Sequence, residues 1–208
     1  MEAKSYNDSV FLNCPFDAEY KALQNAMVFA IYECGFIPRC ALEENDAGDV
    51  RFNKIERLIE WSRYGIHDIS RTELDEVNEL PRFNMPFELG LFMGARRYGT
   101  ASQRKKKLLI LDRAQYRYQK FISDISGQDI RSHDGDTALL IKHVRDWLNT
   151  ASSNTTIPGG KQIAARYAQF SADLPRMCRK FKISADELTF NDYSVFVSEW
   201  ISGVSTAS

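Results

Sequence analysis

Four short apolar runs divide the first half of the chain: Val10-Phe11-Leu12, then residues 36–42, 65–69 and 108–111. Each is strand-sized and bounded by turn residues, the signature of a buried strand. Between them apolar residues recur every three or four positions, the period of a helix with one buried face. The first helix follows Asp17, an N-cap residue type, aligns Tyr20, Leu23, Met27, Ile31 and Cys34, and stops at Gly35. A second, over 50–62, turns Phe52, Ile55, Leu58 and Ile59 inward. A third starts with Pro86 as its first helical residue and runs to Arg97 with Phe87, Leu91 and Ala95 in line.

Strands alternating with helices at this spacing suit right-handed crossovers, so the pattern predicts an α/β fold with a mostly parallel sheet covered on both faces, Rossmann-like or flavodoxin-like. Ligands of such sheets bind beyond the carboxyl ends of the strands, here the loops near Asn13, Glu43, Ser70 and Asp112. After Asp112 the periodicity becomes helical, over 116–125 and over 137–149 with Leu140, Val144, Trp147 and Leu148 as a stripe; Asp129-Ile130-Arg131 is a candidate fifth strand. Residues 150–160, TASSNTTIPGG, have the composition of a surface connection. Two helices follow, one along Ile163, Tyr167, Phe170, Leu174 and Met177 with Pro175 expected to kink it, the other along Phe196, Val197, Trp200 and Ile201. The expected division is an α/β domain over 9–149, a linker over 150–160 and a helical C-terminal extension over 161–208, packed on the sheet or on a partner protomer.

Composition narrows the function classes. Twenty-seven Lys and Arg against 28 Asp and Glu give a net charge of −1, which leaves no basic field for DNA or anionic lipid. Cys14, Cys34, Cys40 and Cys178 fit neither paired zinc-ligand spacing nor a disulfide framework, so they read as reduced thiols. The first residues lack a charged start followed by an apolar core, and no run of about 18 apolar residues occurs, so a cytoplasmic protein is expected. Asn154-Thr155-Thr156 matches a glycosylation sequon but reads as a loop in that setting.

Glycine-rich phosphate loops, H-E-x-x-H and G-x-S-x-G are all absent. His67 and Asp68 are adjacent on a predicted strand and so face opposite sides, with His133 and His143 far along the chain, which argues against a metal site; His143, within the 140–148 stripe, reads as a core residue. The segment 81–94, PRFNMPFELGLFMG, holds the strongest candidate, Glu88. At the third position of a helix beginning with Pro86, its carboxylate meets the positive end of the helix dipole, which favours the ionised form. Such a carboxylate can stabilise or trap the oxocarbenium charge formed when an N-glycosidic bond breaks, and needs no metal or cofactor. A helix-start carboxylate that merely completes a cap is the competing reading. Gly90 and Gly94, each costing about 1 kcal/mol in mid-helix, suggest a helix pressed close to the sheet. The loop Asn13-Cys14-Pro15-Phe16-Asp17 offers an amide, a ring and a helix start as a nucleotide cradle, or else an ordinary turn and cap.

Arg82-x-Asn84-Met85-x-x-Glu88-x-Gly90 resembles the R-x-N-V-x-x-E-x-G stretch of bacterial TIR-like nucleotide-binding domains of antiphage effectors. It is less closely similar to the glutamate helix of nucleoside 2-deoxyribosyltransferases, whose first strand and proline-phenylalanine turn Val10 to Phe16 also resemble. The resemblance spans about residues 9–112 and implies a flavodoxin-like fold, Glu88 as catalytic carboxylate, and cleavage of an N-glycosidic bond in NAD or a nucleoside, with activity released on sensing or assembly. Arg82, Asn84 and Met85 stand where the transferases carry an aspartate and a glycine-threonine pair, so deoxyribosyl transfer is not implied.

Asn13, Phe16, Asp17, Arg82 and Asn84 are the expected ligand contacts, Arg82 for phosphate, with Arg39, Ser70 and Arg71 next and Glu43 and Asp46 as further candidates after the strands. The acidic stretch 68–79 precedes Arg82 and is placed to act as a lid; the basic stretch 96–107 reads as a solvated face. The expected partner is a nucleotide or NAD-like molecule, with self-association, a nucleotide-sensing module and an assembly scaffold open as other roles.

Overall fold

The four apolar runs and the candidate strand around Ile130 pair into one five-stranded sheet in which every neighbouring pair is parallel: β1 Ser9–Asn13, β2 Ile37–Arg39, β3 Tyr64–Asp68, β4 Lys107–Asp112 and β5 Ile130–Ser132, in the order β2-β1-β3-β4-β5. A computed structural model of the chain describes residues 6–72, 74, 79–152 and 156–205, with side chains to 203. Residues 73 and 75–78 of the acidic stretch, and Asn154-Thr155 of the sequon, lie outside the described residues. The helices are α1 Lys21–Glu33, α2 Arg51–Glu60, α3 Asn84–Tyr98, α4 Thr137–Ser152, α5 Gly160–Phe181 and α6 Phe190–Ser205.

The two-residue strand period divides the core between two faces. Val10, Leu12, Tyr64, Ile66, Leu109 and Leu111 pack with α1 and α4, while Phe11 meets Ile55 and Leu58 of α2 and Phe92 of α3. The strand order and crossovers make this a flavodoxin-like three-layer fold, and the C-terminal helices add to it. Among the described residues no helix is long and apolar enough to cross a membrane.

Cover for α1 explains the extension. Ala26, Met27, Val28, Phe29, Ala30 and Ile31 are all buried, so this helix is apolar around its circumference and needs packing outside as well as against the sheet. Phe29 receives it from Phe170, Tyr167 and Trp200, at ring-centroid distances of 5.3, 5.4 and 5.9 Å. α5, continuous through Pro175, carries Tyr167 and Phe170, α6 carries Trp200, and the stretch predicted as a linker begins inside α4 and ends at the first residue of α5. At its carboxyl end α1 closes with Phe36 N–H bonded to Ile31 O and Gly35 N–H to Tyr32 O, around Gly35 at φ +82°.

Several local expectations change. The first helix starts at Lys21, because Asp17 Oδ1 accepts Tyr20 N–H at 3.0 Å and caps the turn before it. The third starts at Asn84, two residues earlier than predicted, with Met85, Leu89 and Phe92 on its buried face. Phe87 is therefore 56% exposed and Phe52, expected inward, is 41% exposed; their rings pack together at 6.0 Å. Residues 116–125 form two 3-10 turns, Arg117–Lys120 and Ser123–Ile125, tied down by Arg117, which donates to Asp112 Oδ1 and Ile69 O. Gly90 and Gly94 border open space, so they do not mark the close approach of α3 to the sheet. That approach runs over Gly65 of β3, where an added Cβ would lie 2.7 Å from the Phe92 ring. At the other end of the sheet the buried Lys106 donates to Ile59 O and Ser62 O, satisfying carbonyls at the end of α2.

Candidate functional site

The sheet order places β1 and β3 side by side with their crossovers leaving in opposite directions, and a crevice opens where they part. A cavity of about 230 Å³ lies there, room for roughly eight waters at about 30 Å³ each. Its wall comes from the end of β1 and the following loop (Asn13, Phe16, Asp17), from Arg71 after β3, and from Arg82, Asn84 and Glu88 at the start of α3. The structure thus brings together seven of the eleven candidate residues. Arg39, Glu43, Asp46 and Ser70 are elsewhere.

Arg39 is buried at the end of β2, its Nε bonded to Glu43 at 2.8 Å, and Glu43 also accepts Cys40 N–H. Both residues close the turn after β2. Asp46 likewise accepts Gly48 N–H at 2.9 Å in a local turn. Ser70 lines a neighbouring cavity of about 200 Å³ with Tyr20, Arg113 and His133, and Arg71 borders both cavities. His143, half-buried, bonds Ser132 O through Nε2 at 3.0 Å.

Glu88 is 9% exposed and has no hydrogen-bond partner among the described residues. Burial pushes its carboxyl up to about 7, and the opposing charge of Arg51 only partly offsets this. The expectation of a carboxylate kept ionised by the helix dipole is therefore reversed. As the fifth helical residue, Glu88 lies past the first turn, where the dipole effect has faded. Three guanidinium groups, Arg51, Arg71 and Arg82, share the wall with the two carboxyls of Asp17 and Glu88, which suits an anionic ligand. Arg71 is already engaged by Asp17 at 3.3 Å and by Glu19 at 2.6 Å.

Arg51 escaped the sequence reading. It is the first residue of α2, behind a loop of Glu, Asp and Gly, and no spacing rule connects it to residue 88.

The neighbouring strand residues divide between the faces. Asp68, fully buried toward α1, accepts Tyr20 Oη–H at 2.5 Å and Ser70 N–H at 2.8 Å and lies 3.0 Å from His133 Nε2. Burial alone would raise its pKa, but His133, Ser70 and Tyr20 hold it below the ordinary carboxylate value. His67 points to the opposite face, beside Asn13. Burial and the charge of Lys106 bring its imidazole down to about 3, so it is neutral. Among the described residues no group of histidine, cysteine and acidic side chains is arranged to hold a metal ion.

No family model, curated protein or solved structure matches the chain.

Proposed function

We propose that the chain is a TIR-like N-glycosidase that hydrolyses NAD or a related nucleotide, with Glu88 as its catalytic carboxylate. The observation that carries this reading is a nearly buried carboxyl of pKa about 7, without a hydrogen-bond partner among the described residues, at the wall of an arginine-lined cavity above the sheet. A cationic nicotinamide nucleotide matches both features. Its phosphates suit the guanidinium groups of Arg82, Arg71 and Arg51, and its positive pyridinium ring draws Glu88 toward the anion.

As the C1′–N bond breaks, its electron pair leaves with nicotinamide, which becomes neutral. The sugar takes up positive charge that the Glu88 carboxylate stabilises. Water then adds to C1′ and gives its proton to Glu88, yielding the free sugar hydroxyl. Incubating the protein with NAD and measuring nicotinamide release tests this: Glu88→Gln should abolish it, and equal release from both proteins excludes Glu88 from the chemistry. The arginine-lined wall also supports a second reading, nucleotide binding without cleavage, which calorimetric binding with no nicotinamide release would favour.

A further inference from the structure

Asn13 ends β1 directly opposite His67 of β3 in the parallel register. Its Nδ2 lies 2.8 Å from Met85 O and 3.1 Å from His67 Nδ1. A backbone carbonyl can only accept, so the atom facing Met85 O is the NH₂ group, and the amide orientation follows without ambiguity. His67 completes the lock. Its neutral ring accepts through Nδ1, which places the proton on Nε2, beside Phe92 at 4.9 Å between ring centroids. With both amide hydrogens used, Asn13 Oδ1 is left with no protein partner among the described residues, and it is not among the polar atoms sealed from solvent. Asn13 itself is 3% exposed and lines the cavity that Glu88 lines. The wall therefore carries a fixed acceptor that demands a donor.

We propose that Asn13 is a specificity residue whose Oδ1 accepts a hydrogen bond from a sugar hydroxyl of the bound nucleotide, and that His67 is the positioning residue holding it in that orientation. The inference rests on the nucleotide reading of the cavity. On that reading the part of the nucleotide beside the Glu88 carboxyl is the sugar, whose hydroxyls are donors that a neighbouring wall residue can meet. A deoxy analogue lacking the relevant hydroxyl leaves Oδ1 buried against the ligand and unpaired, the situation in which polar sites discriminate most strongly. The ring of His67 can lie over the strand only because residue 65 is glycine: a Cβ there would stand 2.8 Å from Nε2.

The test is calorimetric binding to the full chain carrying Glu88→Gln, which stops turnover, with nicotinamide mononucleotide and its 2′-deoxy and 3′-deoxy forms as probes. One of the deoxy forms should bind at least about tenfold more weakly than the ribo form. Adding His67→Leu should bring the two within about twofold, because the Asn13 amide is then free to turn. Adding His67→Gln should restore the preference, since its side-chain oxygen can accept the same N–H. A general loss of stability would not move this ratio. Where His67→Leu does not fold, Asn13→Ala is read in its place and should also abolish the preference. Equal binding of all three probes, or a preference that survives both His67→Leu and Asn13→Ala, overturns the proposal. Nicotinamide release from NAD by the wild type in the absence of sugar discrimination overturns this inference alone; discrimination without release overturns the glycosidase reading alone; no binding and no release overturn both.

Discussion

The titration of Glu88 can be measured before any substrate is known. Its folded-state value of about 7 stands above the ordinary 4.5, so between those values the unfolded carboxyl is ionised while the folded one keeps its proton. Below about pH 4.5 both states are protonated and burial of the group is uncharged. As pH rises through about 7 the folded protein has to hold an anion in poor solvation, and the stability present at low pH is lost. A carboxyl moved from 4.5 to about 7, at about 1.36 kcal/mol for each pH unit, loses at most roughly 3 kcal/mol, because water in the cavity screens part of the charge. Glu88→Gln keeps the shape and removes the titration. In urea unfolding the variant should match the wild type near pH 4.5 and exceed it above pH 8; with a slope of about 2 kcal/mol per molar, the midpoints separate by up to about 1.5 M. Taking the difference between the two proteins cancels every other titrating group. A stability difference that is the same at both ends of the range would refute the assignment of a buried, proton-holding Glu88.

If Glu88 acts as the anion, nicotinamide release should rise about tenfold per pH unit below about 7 and level off above it; a rate that falls through the same range would assign it as a general acid. Gly65→Ala should cost about 1–3 kcal/mol in urea unfolding, since the new methyl collides with Phe92 and His67; an unchanged midpoint would show that the helix can give way. Phe29→Ala should cost about 3–5 kcal/mol by opening a cavity between α1 and the C-terminal helices, whereas a cost below 1 kcal/mol would mean that the extension is not needed to cover α1. Lys106→Met should cost about 2 kcal/mol by leaving Ser62 O without its lysine donor and Ile59 O with only the Ser62 N–H, read by the same unfolding curves.

The layout of the sheet was legible because the signals for it are local. Apolar runs bounded by turns marked the first four strands, the half-buried fifth around Ile130 gave only a candidate, and Gly35 ended α1 through its left-handed cap. What failed depended on which face a helix turns inward. Pro86 is a favoured first helical residue, yet α3 begins at Asn84, and the face it buries is chosen by the fit of Phe92 over Gly65 and His67, partners far away in sequence. Phe52 and Phe87 belong to the periodic pattern but sit outside, where each covers the other. The pattern in α1 held more than one face: Val28 and Phe29, off the stripe through Met27 and Ile31, already called for an outer cover, which the aromatic residues of α5 and α6 supply. The candidate site shows the same division. Residues at strand ends and in the loops after them follow from topology, so Asn13 and Asp17 were within reach of the sequence, whereas Arg51, at the start of α2, joins the cavity wall through tertiary packing.

Asp68 and Glu88 give the physical reason for treating this cavity as functional. Both are buried acids near the carboxyl ends of the central strands, but the first has a hydroxyl, an N–H and an imidazole around it, and its pKa falls. That arrangement satisfies the carboxylate and ties Tyr20, Ser70 and His133 to the end of β3. Among the described residues Glu88 has none of these partners, and burial raises its pKa. A protein can dispense with such a group by placing an amide or an apolar side chain there, which would relieve the burial cost at neutral pH. Asn13 strengthens the argument: it is held by two bonds so that its one unused polar atom borders the same cavity. An unsatisfied acid and a locked, unsatisfied acceptor on one wall are both costs to folding, and a ligand that supplies positive charge and a donor relieves both. A nucleotide sugar developing charge at C1′ offers the two together, and stabilisation of the protein by nicotinamide mononucleotide should therefore shrink when either Glu88 or Asn13 is replaced.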